Sequence, residues 1–331
     1  MTNSGSDRPG EFEMIARLFA PLSHSVPGAF GLTDDAATIA PPAGEELVVT
    51  ADALVEGVHF LRDDPPESIA KKSLRMNLSD LAAKGAKPMA YLLALSLPDW
   101  IDMAWLEAFA RGLGEDQRAY EIHLIGGDTT RTPGPLTLAI TAMGSIPRGT
   151  MIRRSGAQAG DLIFVSGTIG DAGGGLAILK GEGGSISDAQ RAALIARYRE
   201  PLPRVTLGLA LRGIASASLD VSDGLLADLG HIAETSKVRI AVDAMRIPIS
   251  PALQACWRDD QVARVRAATA GDDYEIAFTA PEANRSVVLE AAAGAGVAVT
   301  EIGRAEAGHG VALLDAGGRE IAVPRKGYVH F

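Results

Sequence analysis

Apolar and polar positions follow two rhythms along this chain. In EFEMIARLFAPL, Phe12, Ile15, Phe19 and Leu22 recur at helical spacing behind a Pro-Gly pair, which predicts one amphipathic helix. LVVTA is a short strand candidate, and ESIAKKSLRMNLSDLAAKGA predicts a helix that stops near Gly85, with Leu74, Leu78 and Leu81 toward a core and Asp80 on a different side. MAYLLALSL predicts a buried strand and MAWLEAFARGLGEDQRAY a second long helix. HLIGG and LTLAITAMG predict strands, the second with Leu136, Leu138, Ile140 and Ala142 on one side of a period-2 pattern. Polar, glycine-bearing PRGTMIRRSGAQAGD then breaks the rhythm. It predicts a domain boundary near residue 150, giving domains 1–150 and 151–331.

The second half opens with the strand candidate DLIFVSG, the glycine cluster GDAGGG, helical LAILK and the loop GEGGSISD. Helices are expected at 188–199, 204–214, 224–236 and 281–294, and strands in SASLDV, RIAVDA, YEIAFTA and VAVTEIG. Strands come both singly and in adjacent pairs, and no fixed-period repeat occurs. The pattern predicts an α+β protein of two α/β domains with mixed sheets rather than a strictly alternating doubly wound sheet.

Composition narrows the class. With 331 residues, 47% of them hydrophobic, the chain exceeds the length at which single cores split, so two domains are expected. Charged residues at 22% and 37 glycines describe a loop-punctuated enzyme or binding protein rather than a disordered chain. A net charge of -10 without a Lys/Arg run argues against nucleic acid as a partner. The single cysteine, Cys256, excludes an internal disulfide and a multi-thiolate metal site, and it is expected to pack as a small apolar side chain. The opening MTNSGSDRPGEF lacks the basic-then-apolar order of a signal peptide, and the apolar runs fall short of a membrane span. A cytoplasmic protein without a membrane partner is expected.

Absences narrow the chemistry further. Neither G-x-x-x-x-G-K-[ST] nor H-E-x-x-H occurs, and GDAGGG is not the fingerprint G-x-G-x-x-G. That cluster could offer backbone N–H groups to an anion, or be an ordinary turn. The informative residues are aspartates. A lone strand-end Asp is usually a cap or a turn former. Here Asp34, Asp35, Asp52, Asp80, Asp128, Asp220 and Asp223 sit mostly at loop junctions, where side chains from different strands can converge. An oxygen-only donor set points to a hard cation, Mg2+ before Zn2+. More carboxylates than one ion needs suggest several ions around a polyphosphate, and hence phosphoryl transfer. Gly126 and Gly127, lacking Cβ atoms, would let the backbone approach a phosphate while Asp128 reaches a metal. Asp80 could equally lie on a solvated face, His59 could be a structural histidine or a ligand contact, and Arg154 could pair with phosphate.

TADALVEGVHF, NLSDLAAKGAKP, GGDTTR, RSGAQAGD, DVSDGL, GDDYE and terminal KGYVHF occur in this order. The series resembles the thiamine-monophosphate kinases of the aminoimidazole ribonucleotide synthetase-like superfamily, from EFEMIARLF to the last residue. The resemblance implies ATP-dependent phosphorylation of thiamine monophosphate to thiamine diphosphate by direct in-line transfer, without a nucleophilic side chain. It further implies several Mg2+ ions at Asp35, Thr50, Ala51, Asp52, Asp80, Asp128, Asp220 and Asp223. Ala51 would act through its carbonyl. ATP contacts would come from Gly127, Asp128, Arg154 and Ser222, and thiamine-substrate contacts from His59, Asp272 and Tyr328. The similar proteins pair N-terminal strands in a homodimer, followed by a C-terminal α/β domain, with the active site between domains.

Three positions depart from the pattern: GLTDDA has Thr33 where a glycine is usual, restricting that turn. TAD has Ala51 where a second hydroxyl is frequent, and AGDDYE has Asp272 where glutamate is usual. The residues leave open whether Asp34 or Asp35 is the ligand. They also leave open a synthetase of the same superfamily or a nucleotide-sensing module, although no terminal cysteine marks the former.

Overall fold

The computed structural model describes residues 10–328; the opening MTNSGSDRP and the final Val329, His330 and Phe331 lie outside it. Contacts divide the chain into two units, one running through Leu81 and resuming at Lys87–Arg148, the other formed by Ala82–Ala86 and the chain from Gly149 onward.

The first unit carries four strands, β1 (Glu45–Val55), β2 (Lys87–Leu97), β3 (His123–Arg131) and β4 (Thr137–Pro147), in the order β1-β4-β2-β3. Only the β2–β3 pairing is parallel, so the sheet is mixed. The core face follows the period-2 prediction: Leu136, Leu138, Ile140 and Ala142 are fully buried, opposite Leu54, Tyr91, Leu93 and Leu95. The expectation of a buried MAYLLALSL holds for one face only. Alternate residues reach the other face, where Leu92 is 37% exposed, because an antiparallel-rich sheet can leave one face open.

Helix Met103–Tyr120 matches its predicted span, and its first turn is capped by Asp102, which accepts the Trp105 N–H. Helix Pro66–Ala83 buries Leu74, Leu78 and Leu81 as expected and ends before Gly85, whose φ of +70° suits glycine. The segment from Glu11 departs from one amphipathic helix. An α turn over Glu11–Met14 widens over Ile15–Phe19 and tightens over Ala20–Ser23, where Pro21 lacks an N–H. The changed winding buries Met14, Leu18 and Phe19 and leaves Phe12 exposed.

The second unit is built on six strands, β5 (Leu162–Ser166), β6 (Ala217–Asp220), β7 (Arg239–Asp243), β8 (Ile276–Ala280), β9 (Val299–Glu306) and β10 (Gly310–Leu314), in the order β10-β7-β9-β5-β8-β6. β10 and β7 run parallel and the remaining pairs antiparallel, a second mixed sheet. Helix Leu225–Ser236 supplies Leu225, Leu226, Leu229 and Ile232 to one core, while Phe164 and Phe278 stack on the other side of the sheet with centroids 5.3 Å apart. Helices Pro251–Trp257 and Gln261–Thr269 and strand β10 were not anticipated from periodicity.

Candidate active site

Strand alternation places Thr50 and Asp52 on the same face of β1, toward helix Pro66–Ala83. There the Thr50 hydroxyl donates to Asp80 Oδ2. Asp80 is therefore not on a purely solvated face; it is half-buried and bonded. Burial and then the neighbouring Asp80 charge push the Asp52 carboxyl up to about 6. Two carboxylates and a hydroxyl are thus held together at a cost in repulsion. This all-oxygen set fits a hard divalent cation. Ala51 points its methyl to the opposite face, leaving only its backbone to contribute there.

Asp128 occupies the adjacent register row, Ala53–Ala139–Ala94–Asp128, whereas Asp52 lies on the row Asp52–Ile140–Leu93–Gly127. By alternation Asp128 belongs to the open face. A cavity of about 800 Å³ lies there, lined by Asp34, Asp35, Gly126, Gly127 and Asp128 with apolar Ile39, Leu92 and Met143. Among the described residues no three His, Cys, Asp or Glu side chains gather in metal-holding geometry. The sequence-predicted carboxylates of this unit therefore form a pair, Asp52 with Asp80, and a separate acidic rim.

The glycines before Asp128 have a structural reason that the sequence did not disclose. A Cβ on Gly127 would lie 1.8 Å from the Leu93 carbonyl oxygen of β2, and one on Gly126 3.1 Å from Leu92 Cδ2. Close approach of two strands, beside an irregularity at Tyr91/Leu92, is what requires the missing Cβ at Gly127. Thr33 is also less restrictive than its sequence suggested: its φ of −109° is ordinary, and its hydroxyl donates to the Phe30 carbonyl at 2.8 Å. The left-handed residues of that turn are Phe30, Gly31 and Leu32. Asp34 Oδ1 accepts the Asp35 N–H at 2.8 Å.

His59 lies in the turn after β1, where Nδ1 accepts the Val55 N–H at 3.1 Å, so that Nε2 carries the ring proton. Exposed Arg154 lies on a loop tied to Ser236, whose hydroxyl accepts the Gly156 and Ala157 N–H groups.

In the second unit three sequence motifs meet through their backbones. Asp272 N–H donates to the Ser222 carbonyl, Tyr274 N–H to the Val221 carbonyl and Tyr328 N–H to the Asp223 carbonyl, each at 2.8 Å. DVSDG, GDDYE and the Gly-Tyr near the C-terminus thereby bring Asp220, Ser222, Asp223, Asp272 and Tyr328 to one end of β6. Asp228, which sequence reasoning passed over, organises the first motif: its Oδ2 accepts the N–H groups of Ser222, Asp223 and Gly224 at 3.0, 3.0 and 3.1 Å. Burial and the Asp223 charge push this carboxyl up to about 7. A single aspartate within the apolar run LLADLGHI was the available signal.

GDAGGG does begin a helix, Asp171–Leu179, but its N-terminal donors are already engaged. Buried Asp273 accepts from Gly170 N–H at 2.7 Å and Ala172 N–H at 3.3 Å. The later glycines admit a neighbouring helix, since a Cβ on Gly175 would meet the Leu194 carbonyl at 2.2 Å. The anion-binding option for this cluster gives way to helix packing. Cys256 is half-buried, with its thiol directed at the Gly183 carbonyl and its pKa raised by burial, as a packing residue would be.

The chain with these two mixed sheets is an AIR synthase related protein. The family descriptions for the N-terminal and C-terminal domains of that class match residues 33–146 and 158–315. The chain is 47% identical to a thiamine-monophosphate kinase of Caulobacter vibrioides, covering 97% of this chain and 91% of the relative. A solved thiamine-monophosphate kinase of Stenotrophomonas maltophilia superposes with a TM-score of 0.80 at 47% identity, covering 88% of this chain and 91% of that one. AaThiL complexed with AMPPCP and TMP superposes with a TM-score of 0.77 at 32% identity, covering 92% and 97%. The chain belongs to the thiamine-monophosphate kinase family.

Proposed function

We propose that this protein transfers the γ-phosphoryl group of ATP to thiamine monophosphate, forming thiamine diphosphate and ADP. The observation that carries the reading is the enforced Thr50–Asp80–Asp52 cluster, two carboxylates kept side by side where a cation would relieve them. The relative solved with AMPPCP and TMP supports the choice of substrates.

In the transfer, an oxygen of the thiamine phosphate forms a bond to Pγ as the bond from Pγ to the ADP oxygen breaks. The acceptor phosphate is largely ionised near neutral pH, so no side chain need remove a proton or form a covalent intermediate. The protein's work is to orient two polyanions and balance their charge. Bound Mg2+ would supply charge neutralisation for the transferring phosphate. The residues proposed to hold such ions are Asp35, Thr50, Asp52, Asp80, Asp128, Asp220 and Asp223, with Ala51 through its carbonyl. Asp35 is favoured over Asp34, because Asp34 directs one oxygen back to its own loop. Gly127, Asp128, Arg154 and Ser222 are proposed for ATP, and His59, Asp272 and Tyr328 for the thiamine substrate. Residues 1–150 are proposed as the nucleotide, metal and dimerisation domain and 151–331 as the C-terminal α/β domain.

The test is an end-point assay of purified protein with thiamine monophosphate, Mg2+ and ATP, following thiamine diphosphate by chromatography. Magnesium-dependent product is expected. ATP binding without product would move the site to a sensing role.

A homodimer is also proposed, supported by the open face of the first sheet, where Val49 is 58% exposed on edge strand β1. Light scattering should give twice the 34.4 kDa chain mass, and Val49→Glu should shift it toward one chain. An unchanged mass in the variant would remove Val49 from any interface. Among the described residues no helix is long and apolar enough to cross a membrane. A cytoplasmic location is proposed, consistent with the one unpaired cysteine.

A further inference from the structure

We infer that Tyr274 is a positioning residue for recognition of the thiamine substrate: its buried phenol fixes the carboxylate of Asp272. The inference rests on the proposed kinase reading, in which Asp272 faces that substrate. Tyr274 is only 3% exposed, and its O–H donates to Asp272 Oδ1 at 3.1 Å.

The loop that carries both residues is held in a conformation its sequence would not choose. Asp272 has φ of +69° and Tyr274 φ of +50°, left-handed values at two non-glycine positions separated by one residue. Such backbone persists only where its surroundings over-determine it, and it concentrates at ligand sites. Here the restraints can be traced individually. Asp272 N–H and Tyr274 N–H donate to Ser222 and Val221 carbonyls. Asp273 accepts two N–H groups from the start of helix Asp171–Leu179, and Arg197 donates to the Asp273 carbonyl at 3.2 Å. Gly271 is pressed against the same loop, with Ser222 O only 2.5 Å from where a Cβ would stand.

These contacts fix the backbone. The phenol adds a restraint on the Asp272 side chain, engaging one carboxylate oxygen from a ring that is itself buried. A short aspartate suits this arrangement better than a longer acid, since fewer torsions need restraint. Thiamine monophosphate presents a permanently cationic thiazolium ring and an amino-substituted pyrimidine. A carboxylate held in one orientation complements either group without an ordering cost at binding. Asp272 is assigned to the thiamine substrate and not to ATP, so the effect belongs to one substrate only.

The experiment measures KM for each substrate and the thermal midpoint in Tyr274→Phe, Asp272→Asn and the double variant. Phenylalanine fills the same buried space. Tyr274→Phe is expected to raise KM for thiamine monophosphate about three- to tenfold while KM for ATP and the midpoint stay at wild-type values. Asp272→Asn is expected to raise the same KM about tenfold to a hundredfold. In that background Tyr274→Phe should add nothing, because the group it acts through is gone. A full additional effect in the double variant would overturn the inference, as would a Tyr274→Phe protein that binds normally or that melts well below wild type. A normal KM in Asp272→Asn would instead sink the substrate assignment on which the inference stands, a distinguishable failure.

Discussion

Asp52→Asn should yield a folded protein that has lost turnover. The amide has the shape of the carboxylate but none of its charge, and Asp52 sits half-buried on β1 beside Asp80, whose charge helps push it up to about 6. Removing one of two like charges relieves repulsion, so the thermal midpoint without Mg2+ should equal or exceed that of the wild type. Activity should fall at least about a hundredfold, since metal stabilisation of transferring phosphate is worth several kcal/mol and each 1.36 kcal/mol is tenfold in rate. Adding Mg2+ should raise the wild-type midpoint by mass action and raise that of the variant less. Thr50→Ala should have a smaller kinetic effect, because Thr50 carries no charge and its loss leaves both carboxylates in place. Steady-state rates and melting curves with and without Mg2+ make the check. Wild-type turnover in Asp52→Asn at ordinary Mg2+ would remove Asp52 from the metal set. Lost activity accompanied by a lower midpoint would make it a structural residue. The opposed movement of stability and activity is the signature of a group kept for function.

The two halves of this picture were unequally legible in the sequence. Elements with long, clean periods could be read directly: helix Met103–Tyr120 and the alternation Leu136, Leu138, Ile140, Ala142 follow from the pattern alone. Short helices were missed because a stretch of seven or nine residues shows barely two turns of period. Their caps were nonetheless written in the chain, since Ser250 before Pro251 accepts the Leu253 N–H and Asp260 accepts that of Ala263. At the site, the aspartates could be singled out as a class, but the expected loop junctions hold only in part: Asp52 and Asp128 lie within β1 and β3, and Asp80 lies on a helix. Their grouping could not be read, because it depends on register: a single row of offset separates Asp128 from Asp52. Supporting residues were least visible. Asp228, Asp273 and Tyr274 act on backbone N–H groups or on another side chain, and such partners are defined only when distant segments meet. Gly127 illustrates the converse. Its small size was legible, but its packing reason was not, because the Leu93 carbonyl it accommodates lies on another strand.

Glu275→Gln should be the most destabilising of the conservative substitutions in the second unit. Glu275 is fully buried at the head of β8, where a run of apolar residues follows it. Its carboxylate accepts from the Ser166 hydroxyl at 2.6 Å, from Arg197 at 2.8 Å and from Arg204 Nε at 2.7 Å. Gly167 is obliged to be glycine beside it, since a Cβ there would lie 2.2 Å from Glu275 Oε1. Two guanidiniums, 15% and 19% exposed, converge on this carboxylate. Glutamine would face them with a neutral amide that is itself a donor on one side, removing the buried negative charge on which they converge. Breaking a buried pair in this way costs about 3–5 kcal/mol, which for a unit of this size lowers the midpoint on the order of 10 °C. Arg204→Met should cost less, because Arg197 still balances Glu275 and the methionine fills the vacated space. Denaturant unfolding followed by circular dichroism separates the two. A Glu275→Gln protein within about 1 kcal/mol of wild type would mean the cluster behaves as an exposed ion pair. Because the Glu275 carbonyl also accepts the Val221 N–H at 2.8 Å, the same residue ties β8 to the DVSDG loop. Loss of its charge should therefore loosen the loop carrying Ser222 and Asp223 before the rest of the unit unfolds.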